Sequence, residues 1–291
     1  MAKSAKVFIC SVIMGAAAAS CGLITGIGDL SRVGDALDAS TDGAPVDGAR
    51  GDADDASGND GAPLDGSMDT GVDAACPGTA GPIAIRVGAF CIDSTEVTHG
   101  DYSIFLARST APANAGPPAC AYKTNHIPTG LVPTQTSPQA WVDWCDAYAY
   151  CAWAGKRLCG SVSGGPSGSL VDSTNQWFTA CSHGADGNHA FPYGNSFKPS
   201  ACNIPEVDAG SSTEVRSLAE CVGGFPGLYD MVGNVYEWED SCAVTLAGLT
   251  DCIERSGSFL DPAGASQDCA FARPIGMKYS DSDIGFRCCS L

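Results

Sequence analysis

The sequence predicts a single, loop-rich α+β domain over residues 76–291 that is cross-linked by disulfide bonds. Fourteen of the sixteen cysteines in the chain lie in this segment, and an even number behind an export signal is typical of a disulfide framework. Helical and strand-like hydrophobic patterns both occur in it, and beyond Gly155 a glycine or proline interrupts the chain every few residues. A segment of this length is sufficient for one hydrophobic core.

The N-terminus has the composition of an export signal. Two lysines precede an apolar run, Val7 to Ala19, which is too short to span a bilayer. Small residues then lead into Cys21, which resembles the bacterial lipoprotein signals in which the cysteine is acylated. We expect residues 1–21 to be a lipoprotein signal peptide with a lipidated Cys21, and the protein to be exported to the outer membrane or cell surface. Ordinary signal cleavage near Ala19 is the alternative.

Residues 22–75 are expected to form an acidic, disordered tether. They contain twelve Asp, no Glu, two Arg and no aromatic residue, so they cannot bury enough apolar surface to offset their conformational entropy. Asp-rich runs such as 52–55 lack the glycine and the terminal glutamate of an EF-hand loop, which favours a solvated linker over a calcium site.

Charge excludes one class of partner. The tether and the domain each carry a net charge of −10, and the domain reaches it with 21 acidic and 11 basic residues. Since no basic stripe occurs, nucleic acid is not an expected ligand. The membrane contact that we expect is through the lipid anchor at Cys21.

The first elements of the domain are a strand and a capped helix. Apolar residues alternate with small or polar ones over 83–91, as they do in a strand. Thr98 and the Asp three residues later have the spacing of a capping box, which predicts a helix carrying Tyr102, Phe105 and Leu106.

A second helix is expected over 139–154. Its buried face, recurring at three or four residues, is formed by Trp141, Trp144, Tyr148 and Cys151. Beyond it the chain is mostly loops, with short strands expected near 257–259 and 284–288.

Five motifs occur in a fixed order along the domain. They are Phe-Cys-Ile-Asp at 90–93 with Glu-Val-Thr at 96–98; Trp-Cys-Asp-Ala at 144–147 running into Tyr-Cys-Ala-Trp-Ala-Gly-Lys-Arg-Leu at 150–158; Phe-Pro-Tyr-Gly at 191–194; Gly-Leu-Tyr-Asp-Met-Val-Gly-Asn-Val-Tyr-Glu-Trp at 227–238; and Ser-Gly-Ser-Phe at 256–259 followed by Ile-Gly-Phe-Arg-Cys at 284–288. This order resembles the formylglycine-generating enzyme (sulfatase-modifying factor) domain over nearly all of residues 80–290. The resemblance implies an α+β fold related to the C-type lectins.

The resemblance also implies some of the disulfide pairs. They are Cys151–Cys288 and Cys181–Cys269. Closeness in sequence suggests two more, Cys202–Cys221 and Cys242–Cys252. The sequence leaves open the partners of Cys76, Cys91, Cys120, Cys145, Cys159 and Cys289.

Two cysteines carry the oxidase chemistry of the resembled family. They bind copper, lie five residues apart, and the first follows the second serine of the Ser-Gly-Ser-Phe motif by three residues. Here these positions hold Asp261 and Ser266, whose hard oxygen atoms do not replace the thiolate ligands that Cu(I) prefers. We therefore expect neither copper nor copper oxidase activity. The alternative is a rearranged loop that recruits Cys252 or Cys269.

Calcium is the cofactor that the resemblance implies for the motif at 227–238. The ligands would be the Asp230 side chain, the Gly233 and Val235 carbonyl groups and the Glu237 side chain. These mixed oxygen ligands suit a hard divalent cation. The alternative is that Asp230 caps a turn and Glu237 pairs with Arg287 or Lys156. A second calcium site would begin at Asn203 and Ile204.

Two functions remain open at the level of the sequence. The first is a non-catalytic module that binds a peptide, a glycan or an envelope protein, which the tether and the missing cysteine pair favour. The second is an oxidoreductase of the sulfatase-modifying-factor type, either the formylglycine-generating oxidase or a diverged activity. Either function would use the groove that the resemblance places at Ser258 and Tyr236.

Overall fold

Short strands and short helices, separated by long connections, make up the fold. The computed structural model describes residues 76–182, 189–205, 210–244, 250–261 and 267–291. The α-helices in these ranges are α1 (His99–Arg108), α2 (Trp144–Trp153) and α3 (Gln176–Cys181), and Pro118–Cys120 form a short 3₁₀-helix. The strands are β1 (Ala84–Val87), β2 (Phe90–Asp93), β3 (Arg157–Leu158), β4 (Tyr236–Val244), β5 (Thr250–Arg255), β6 (Ala272–Gly276), β7 (Ile284–Phe286) and β8 (Cys288–Ser290). The predicted loop-rich α+β fold is confirmed.

The strands form two four-stranded sheets. The first has the order β1-β2-β8-β3 and is antiparallel throughout. The second has the order β6-β5-β4-β7, in which β4 and β7 run parallel and the other pairs are antiparallel. Because β7 belongs to one sheet and β8 to the other, the single residue between them, Arg287, lies where the chain passes from sheet to sheet.

Two of the strand predictions need correction. The segment 83–91 is part of a hairpin rather than one strand, since Gly88 adopts a left-handed backbone (φ 57°) and reverses the chain between β1 and β2. No strand covers 257–259, because β5 ends at Arg255 and Ser256 is left-handed (φ 58°). The strand expected near 284 is confirmed as β7.

Helix α1 begins as its capping box predicts. The Thr98 side chain accepts a hydrogen bond from the Asp101 backbone N–H, and the Asp101 side chain accepts one from the Thr98 backbone N–H. Tyr102 and Phe105 are buried, whereas Leu106 is 39% exposed. The cap therefore fixes where α1 begins, and Tyr102 and Phe105 form the face that packs into the core.

Helix α2 is shorter than the predicted 139–154. It begins at Trp144, after Asp143 caps it by accepting a hydrogen bond from the Asp146 N–H. Trp141 precedes the helix in a left-handed conformation (φ 62°), and its indole N–H donates to the Leu131 carbonyl group. The aromatic spacing thus continues the helical period beyond the helix itself, and the cap residue decides where the helix begins.

Two hydrophobic clusters form the interior. The first packs α1 and α2 against β4 and β7, and its largest fully buried members are Tyr102, Phe105, Tyr150, Tyr236, Trp238 and Phe286. The second packs α3 against the β1–β2 hairpin and the loop before β4, and includes Phe90, Trp177, Leu228 and Met231. Residues 227–238 therefore run between the two clusters.

Seven disulfide bonds link all fourteen cysteines of residues 76–291. Four are the pairs that the sequence predicts, namely Cys151–Cys288, Cys181–Cys269, Cys202–Cys221 and Cys242–Cys252. The pairs that the sequence left open are Cys76–Cys91, Cys120–Cys145 and Cys159–Cys289. The two adjacent cysteines at the start of β8 thus bind the C-terminus to both ends of the segment 151–159.

Several predictions concern residues outside the described ranges. The signal peptide 1–21 with its lipidation site Cys21, the tether 22–75 and the second cysteine position, Ser266, all lie there. Within the described ranges, no helix has both the length and the apolar character needed to cross a bilayer.

Candidate functional site

The turn that follows β5 holds Asp261, the first position at which the resemblance expects a reactive cysteine. Ser258 is fully buried in this turn, and its Oγ lies 2.8 Å from Asp261 Oδ2 and 2.9 Å from Asp283 Oδ2. The backbone N–H of Leu260 donates to the same Oγ at 3.1 Å. Oxygen atoms, rather than sulfur, therefore surround this position.

One hydroxyl proton serves two carboxyl groups in this turn. Ser258 has one hydroxyl proton for the two contacts, so it donates to one carboxyl group at a time or shares the proton between both. Burial raises the pKa of Asp283, and the nearby charges of Asp281 and Asp261 raise it further. The hydrogen bond from Ser258 opposes this rise, and Ser258 links the turn at Asp261 to the segment before β7.

Glu254 and Arg273 lie next to this turn, on β5 and β6. The Arg273 guanidinium carbon is 4.1 Å from the centre of the Tyr236 ring, and its Nε donates to Glu254 Oε1. Glu254 has no exposed surface, and its Oε2 has no hydrogen-bond partner among the described residues. We call Glu254, Asp261 and Asp283, together with Tyr236 and Ser258, the Ser258 cluster.

Burial is the main influence on the titration of the Ser258 cluster. It raises the pKa of Glu254 to about 7, with Asp283 and Asp261 adding to the rise and Arg273 opposing it. It also raises the pKa of Tyr236 above its usual range, and the Asp261 carboxylate adds to that rise. Groups that titrate near neutral pH in a buried cluster are frequent at functional sites.

The Glu254→Gln variant should show a weaker pH dependence of stability than the wild type. The folded protein binds the Glu254 proton more tightly than the unfolded chain, because the pKa rises from 4.5 to about 7 on folding. The associated stabilisation is complete below pH 4.5 and is lost as the pH rises towards about 7. Over that window the wild type should lose up to about 1.4 kcal/mol per pH unit more than the variant.

Urea unfolding at a series of pH values measures this difference. The control is Glu220→Gln, which removes an exposed carboxylate and should leave the slope unchanged. Identical slopes for Glu254→Gln and the wild type would show that Glu254 titrates as an ordinary carboxylate.

The loop 227–238 is organised around a buried ion pair. Arg287 and Glu237 have almost no exposed surface, and the Arg287 Nη2 lies 2.7 Å from Glu237 Oε1. The Trp177 indole N–H donates to Glu237 Oε2 at 2.7 Å. The pairing of Glu237 with Arg287 is therefore present, whereas Lys156 pairs with Asp93.

Arg287 also satisfies three backbone carbonyl groups. It donates to the carbonyl oxygens of Asp93, Tyr229 and Asp230 at 3.1, 3.0 and 3.0 Å. One guanidinium group thus joins the end of β2, the loop 227–238 and the crossing between the two sheets. Its planar set of donors suits this combination of one carboxylate and several carbonyl groups.

Further buried carboxyl groups lie beside this pair. Asp230 has a left-handed backbone (φ 55°), and its Oδ2 accepts the Arg216 backbone N–H at 2.7 Å. Burial raises the pKa of Asp230 to about 6. Burial raises the pKa of Glu96 well above its usual range, and the nearby Asp230 charge makes the second-largest contribution. Glu96 Oε1 accepts from Asn234, while Oε2 has no hydrogen-bond partner among the described residues.

The expected calcium ligands of the loop lie in this setting. The hydrogen bonds between described residues include none to the carbonyl oxygens of Gly233 and Val235. Both carboxylate oxygens of Glu237 already accept hydrogen bonds from Arg287. No group of three or more Asp, Glu, His or Cys side chains in the described ranges is arranged to hold a metal ion. Among the expected ligands, Glu237 is thus engaged by Arg287 and Trp177, and the Gly233 and Val235 carbonyl oxygens are the ones left for a cation.

Asn203 and Ile204, the expected start of a second calcium site, lie against the same loop. The Asn203 carbonyl accepts the Asn234 backbone N–H, and the Asn203 side-chain amide donates to Asn234 Oδ1. A Cβ atom on Gly233 would lie 2.6 Å from the Asn203 carbonyl oxygen, so this approach requires glycine. Residues 206–209, which follow this pair closely, lie outside the described ranges.

The structure brings together site residues that the sequence did not connect. Ser258, Tyr236 and Asp261, which the sequence singled out, lie in one cluster, but Glu254, Asp283 and Arg273 were not expected there. Their positions depend on the register of β4, β5 and β6, in which Glu254 lies opposite both Trp238 and Arg273. A signal that sequence reading could have used is the acidic residue before the Ile-Gly-Phe-Arg-Cys motif, Asp283.

One protein family matches most of the chain. It is described as the sulfatase-modifying factor enzyme 1-like domain, and it matches residues 64–290. The match includes both the Ser258 cluster and the loop 227–238, so the two candidate sites lie in the part of the chain that defines the family.

Curated relatives include proteins named as active and as inactive. "Inactive C-alpha-formylglycine-generating enzyme 2" of Bos taurus is 33% identical over 167 residues, which are 53% of this chain and 50% of that protein. "Formylglycine-generating enzyme" of Mus musculus is 34% identical over 175 residues, which are 52% of this chain and 43% of that protein. The chain thus spans about half the length of these relatives, or less.

Among solved structures, the crystal structure of CarF is similar in fold. The two share 20% sequence identity with a TM-score of 0.49, over 74% of this chain and 96% of CarF.

Proposed function

Since the chain belongs to the sulfatase-modifying factor enzyme 1-like family, we propose that it is an exported lipoprotein whose domain binds a ligand without catalysing an oxidation. The ligand class is a peptide, a glycan or an envelope protein. The observation that supports this most is the state of the cysteines: all fourteen in residues 76–291 form disulfide bonds. A copper oxidase of the kind that the resemblance implies needs two thiolates.

The turn at Ser258 supports the same proposal. Asp261 occupies the first cysteine position. Its carboxylate accepts hydrogen bonds from the backbone N–H and the hydroxyl group of Ser258. Carboxylate oxygen is a poor ligand for Cu(I) compared with thiolate sulfur. Cys269, the next cysteine along the chain, is bonded to Cys181 and is therefore not a free thiol.

An oxidoreductase of the same family, or a diverged activity in the same place, is the second candidate function. The Ser258 cluster favours it, because Glu254 titrates near neutral pH and would suit general acid–base chemistry. The relatives do not choose between the candidates, since the bovine protein is named inactive and the mouse protein is named an enzyme.

A peptide oxidation assay separates the two functions. The purified protein would be incubated with copper, oxygen and a cysteine-containing sulfatase peptide, and the peptide would be analysed by mass spectrometry for conversion to formylglycine. We expect no conversion above that of copper alone. Copper-dependent turnover that is retained in Asp261→Asn and lost in Cys269→Ala would support a rearranged cysteine site instead.

The proposed lipoprotein character rests on the N-terminal sequence and on the disulfide bonds. Seven disulfide bonds require an oxidising compartment, which fits an exported protein. Metabolic labelling with an alkyne fatty acid should label the protein, and Cys21→Ala should abolish the label. Labelling that persists in Cys21→Ala would place the lipid elsewhere.

Calcium bound at the loop 227–238 is part of the proposal. The supporting observations are the Gly233 and Val235 carbonyl oxygens, the buried Asp230 carboxyl group with its raised pKa, and the second oxygen of Glu96. Several buried carboxyl groups lie at this loop, and Arg287 neutralises only part of their charge. A bound cation would compensate for the rest.

Calcium should therefore stabilise the protein. At a free concentration one hundred times the dissociation constant, the free energy of unfolding should rise by about 2.7 kcal/mol. Thermal unfolding with calcium and with a chelator measures this rise. Asp230→Ala should abolish the calcium-dependent part, and Asp172→Asn should retain it. If the unfolding temperature does not respond to calcium, calcium does not bind at this loop and the role of Glu237 is to pair with Arg287.

A further inference from the structure

A cavity of about 390 Å³ lies between α1 and α2. It is enclosed by the end of α1, the connection 109–116 and one side of α2, with His126 also in its lining. It shares no lining residue with the Ser258 cluster or with the loop 227–238. Its volume is within the range of about 300–1,000 Å³ that is usual for small-molecule sites.

Aromatic rings form much of the cavity wall. Phe105 of α1 and Tyr148 and Trp153 of α2 all line it, and the ring centres of Phe105 and Trp153 are 5.6 Å apart. Ala149 and Ala152 line it from the same side of α2, and their small side chains leave the space beside the rings open. Because flat apolar walls contact a flat ring over a large area, this shape favours an aromatic ligand.

The His126 ring adds a further flat surface, and its position is fixed. Its ring centre lies 5.5 Å from that of Phe105. Its Nδ1 donates to Asp146 Oδ1 at 2.9 Å, since a carboxylate only accepts hydrogen bonds. Its backbone carbonyl group accepts the Tyr102 hydroxyl group at 2.8 Å. The wall is therefore formed before a ligand arrives, which reduces the cost of ordering it on binding.

Two donors of the cavity lining have no acceptor among the described residues. Each of the other four tryptophans donates its indole N–H to a protein acceptor, but Trp153 does not. Arg108 in the last turn of α1 has no ion pair there, although the domain carries a net charge of −10. A guanidinium group without a partner is well suited to a carboxylate, which it can bind through two parallel hydrogen bonds.

We propose that this cavity binds a small aromatic carboxylate, whose ring lies beside Phe105 and Trp153 and whose carboxylate pairs with Arg108. The Arg108 charge disfavours a cation, which the aromatic faces would otherwise attract. A sugar is less suitable, because its many hydroxyl groups would need more polar partners than these walls offer. The site goes beyond the proposed function and is independent of it, since it uses none of the residues on which that function rests.

Calorimetric titration of the full-length protein with two matched probes tests the proposal. The first probe is indole-3-acetate, and the second is indole-3-acetamide, which has nearly the same shape without the charge. We expect the acetate to bind at least about tenfold more tightly than the amide, which corresponds to about 1.4 kcal/mol. Equal affinities, or no binding of the acetate, would overturn the proposal.

A charge variant tests the role of Arg108. Arg108 is exposed, so Arg108→Met should fold normally, weaken binding of the acetate by about tenfold and leave the amide within about twofold. The control is Lys198→Met, which removes the same unit of charge from an exposed residue outside the cavity lining. It should leave both affinities within about twofold. An equal loss of acetate binding in both variants would show general attraction to positive charge and would contradict the proposed site.

A variant that fills the cavity tests the location independently of charge. Ala152 is exposed on α2 and lines the cavity, and leucine is a good helix former, so Ala152→Leu should occupy the space without unfolding the helix. Binding of both probes should weaken by about tenfold or more. The control is Ala107→Leu, at an exposed position of α1 outside the cavity lining, which should change neither affinity. Undiminished binding in Ala152→Leu would place the ligand elsewhere and would overturn the proposal.

Discussion

Replacing Arg287 by methionine should lower the free energy of unfolding by about 3–5 kcal/mol, because Glu237 would remain buried without its cation. Three carbonyl oxygens, of Asp93, Tyr229 and Asp230, would lose their donor at the same time. Urea unfolding monitored by tryptophan fluorescence measures the loss. The matched control is Arg108→Met, which removes an exposed arginine at the end of α1 and should change stability by about 0.5 kcal/mol or less.

A double variant separates the charge from the packing. If the buried charge dominates, Arg287→Met combined with Glu237→Gln should recover part of the stability that Arg287→Met loses, because no uncompensated carboxylate remains. A loss below about 1 kcal/mol in Arg287→Met would contradict the role that we assign to this pair in joining the two sheets.

The second large effect should come from removing two neighbouring disulfide bonds together. Cys151–Cys288 and Cys159–Cys289 run side by side between the segment 151–159 and the adjacent cysteines of β8. While one of these bonds is intact, the other closes only a short loop. Its two sides are the eight positions from Cys151 to Cys159 and the single step from Cys288 to Cys289. When both bonds are removed, the Cys181–Cys269 bond is the remaining link between these parts of the chain. The loop that the first of the two bonds would close through it contains about fifty residues.

The chain-entropy relation converts these loops into stabilities. Each single removal, as a pair of alanine substitutions, should cost about 2.5 kcal/mol, whereas removal of both bonds should cost nearly 7 kcal/mol, so that the coupling is about 1.5 kcal/mol. Urea unfolding without reductant gives the three values. The control pair, Cys242→Ala with Cys252→Ala, opens a separate loop of ten residues and should show additive costs with either bond. Additivity of the two neighbouring bonds would contradict the shared loop.

The sequence was sufficient where a local rule determines the structure. The capping box at Thr98 sets the start of α1 because it involves residues only three positions apart. The pairs Cys202–Cys221 and Cys242–Cys252 were likewise suggested by closeness in the chain. The long-range pairs, such as Cys151–Cys288, came from the family resemblance, because spacing alone does not determine which of many pairings forms.

The sequence was insufficient where packing between distant segments decides. Helix α2 was predicted too long because Trp141 continues its aromatic period, although Asp143 caps the helix two residues later. The Ser258 cluster needs Glu254 and Arg273 to face each other across β5 and β6, and no local pattern encodes that register. The partners of Cys159 and Cys289 remained open for the same reason.

The central claim is that the chain keeps the fold of its family without a reactive thiol pair, and a count of free thiols tests it most directly. Residues 76–291 would be denatured without reductant in the presence of a thiol-reactive maleimide, and the added mass would be measured. The account predicts no added maleimide, since all fourteen cysteines are paired. Two labelled cysteines per molecule, together with one bound copper ion in the folded protein, would contradict it.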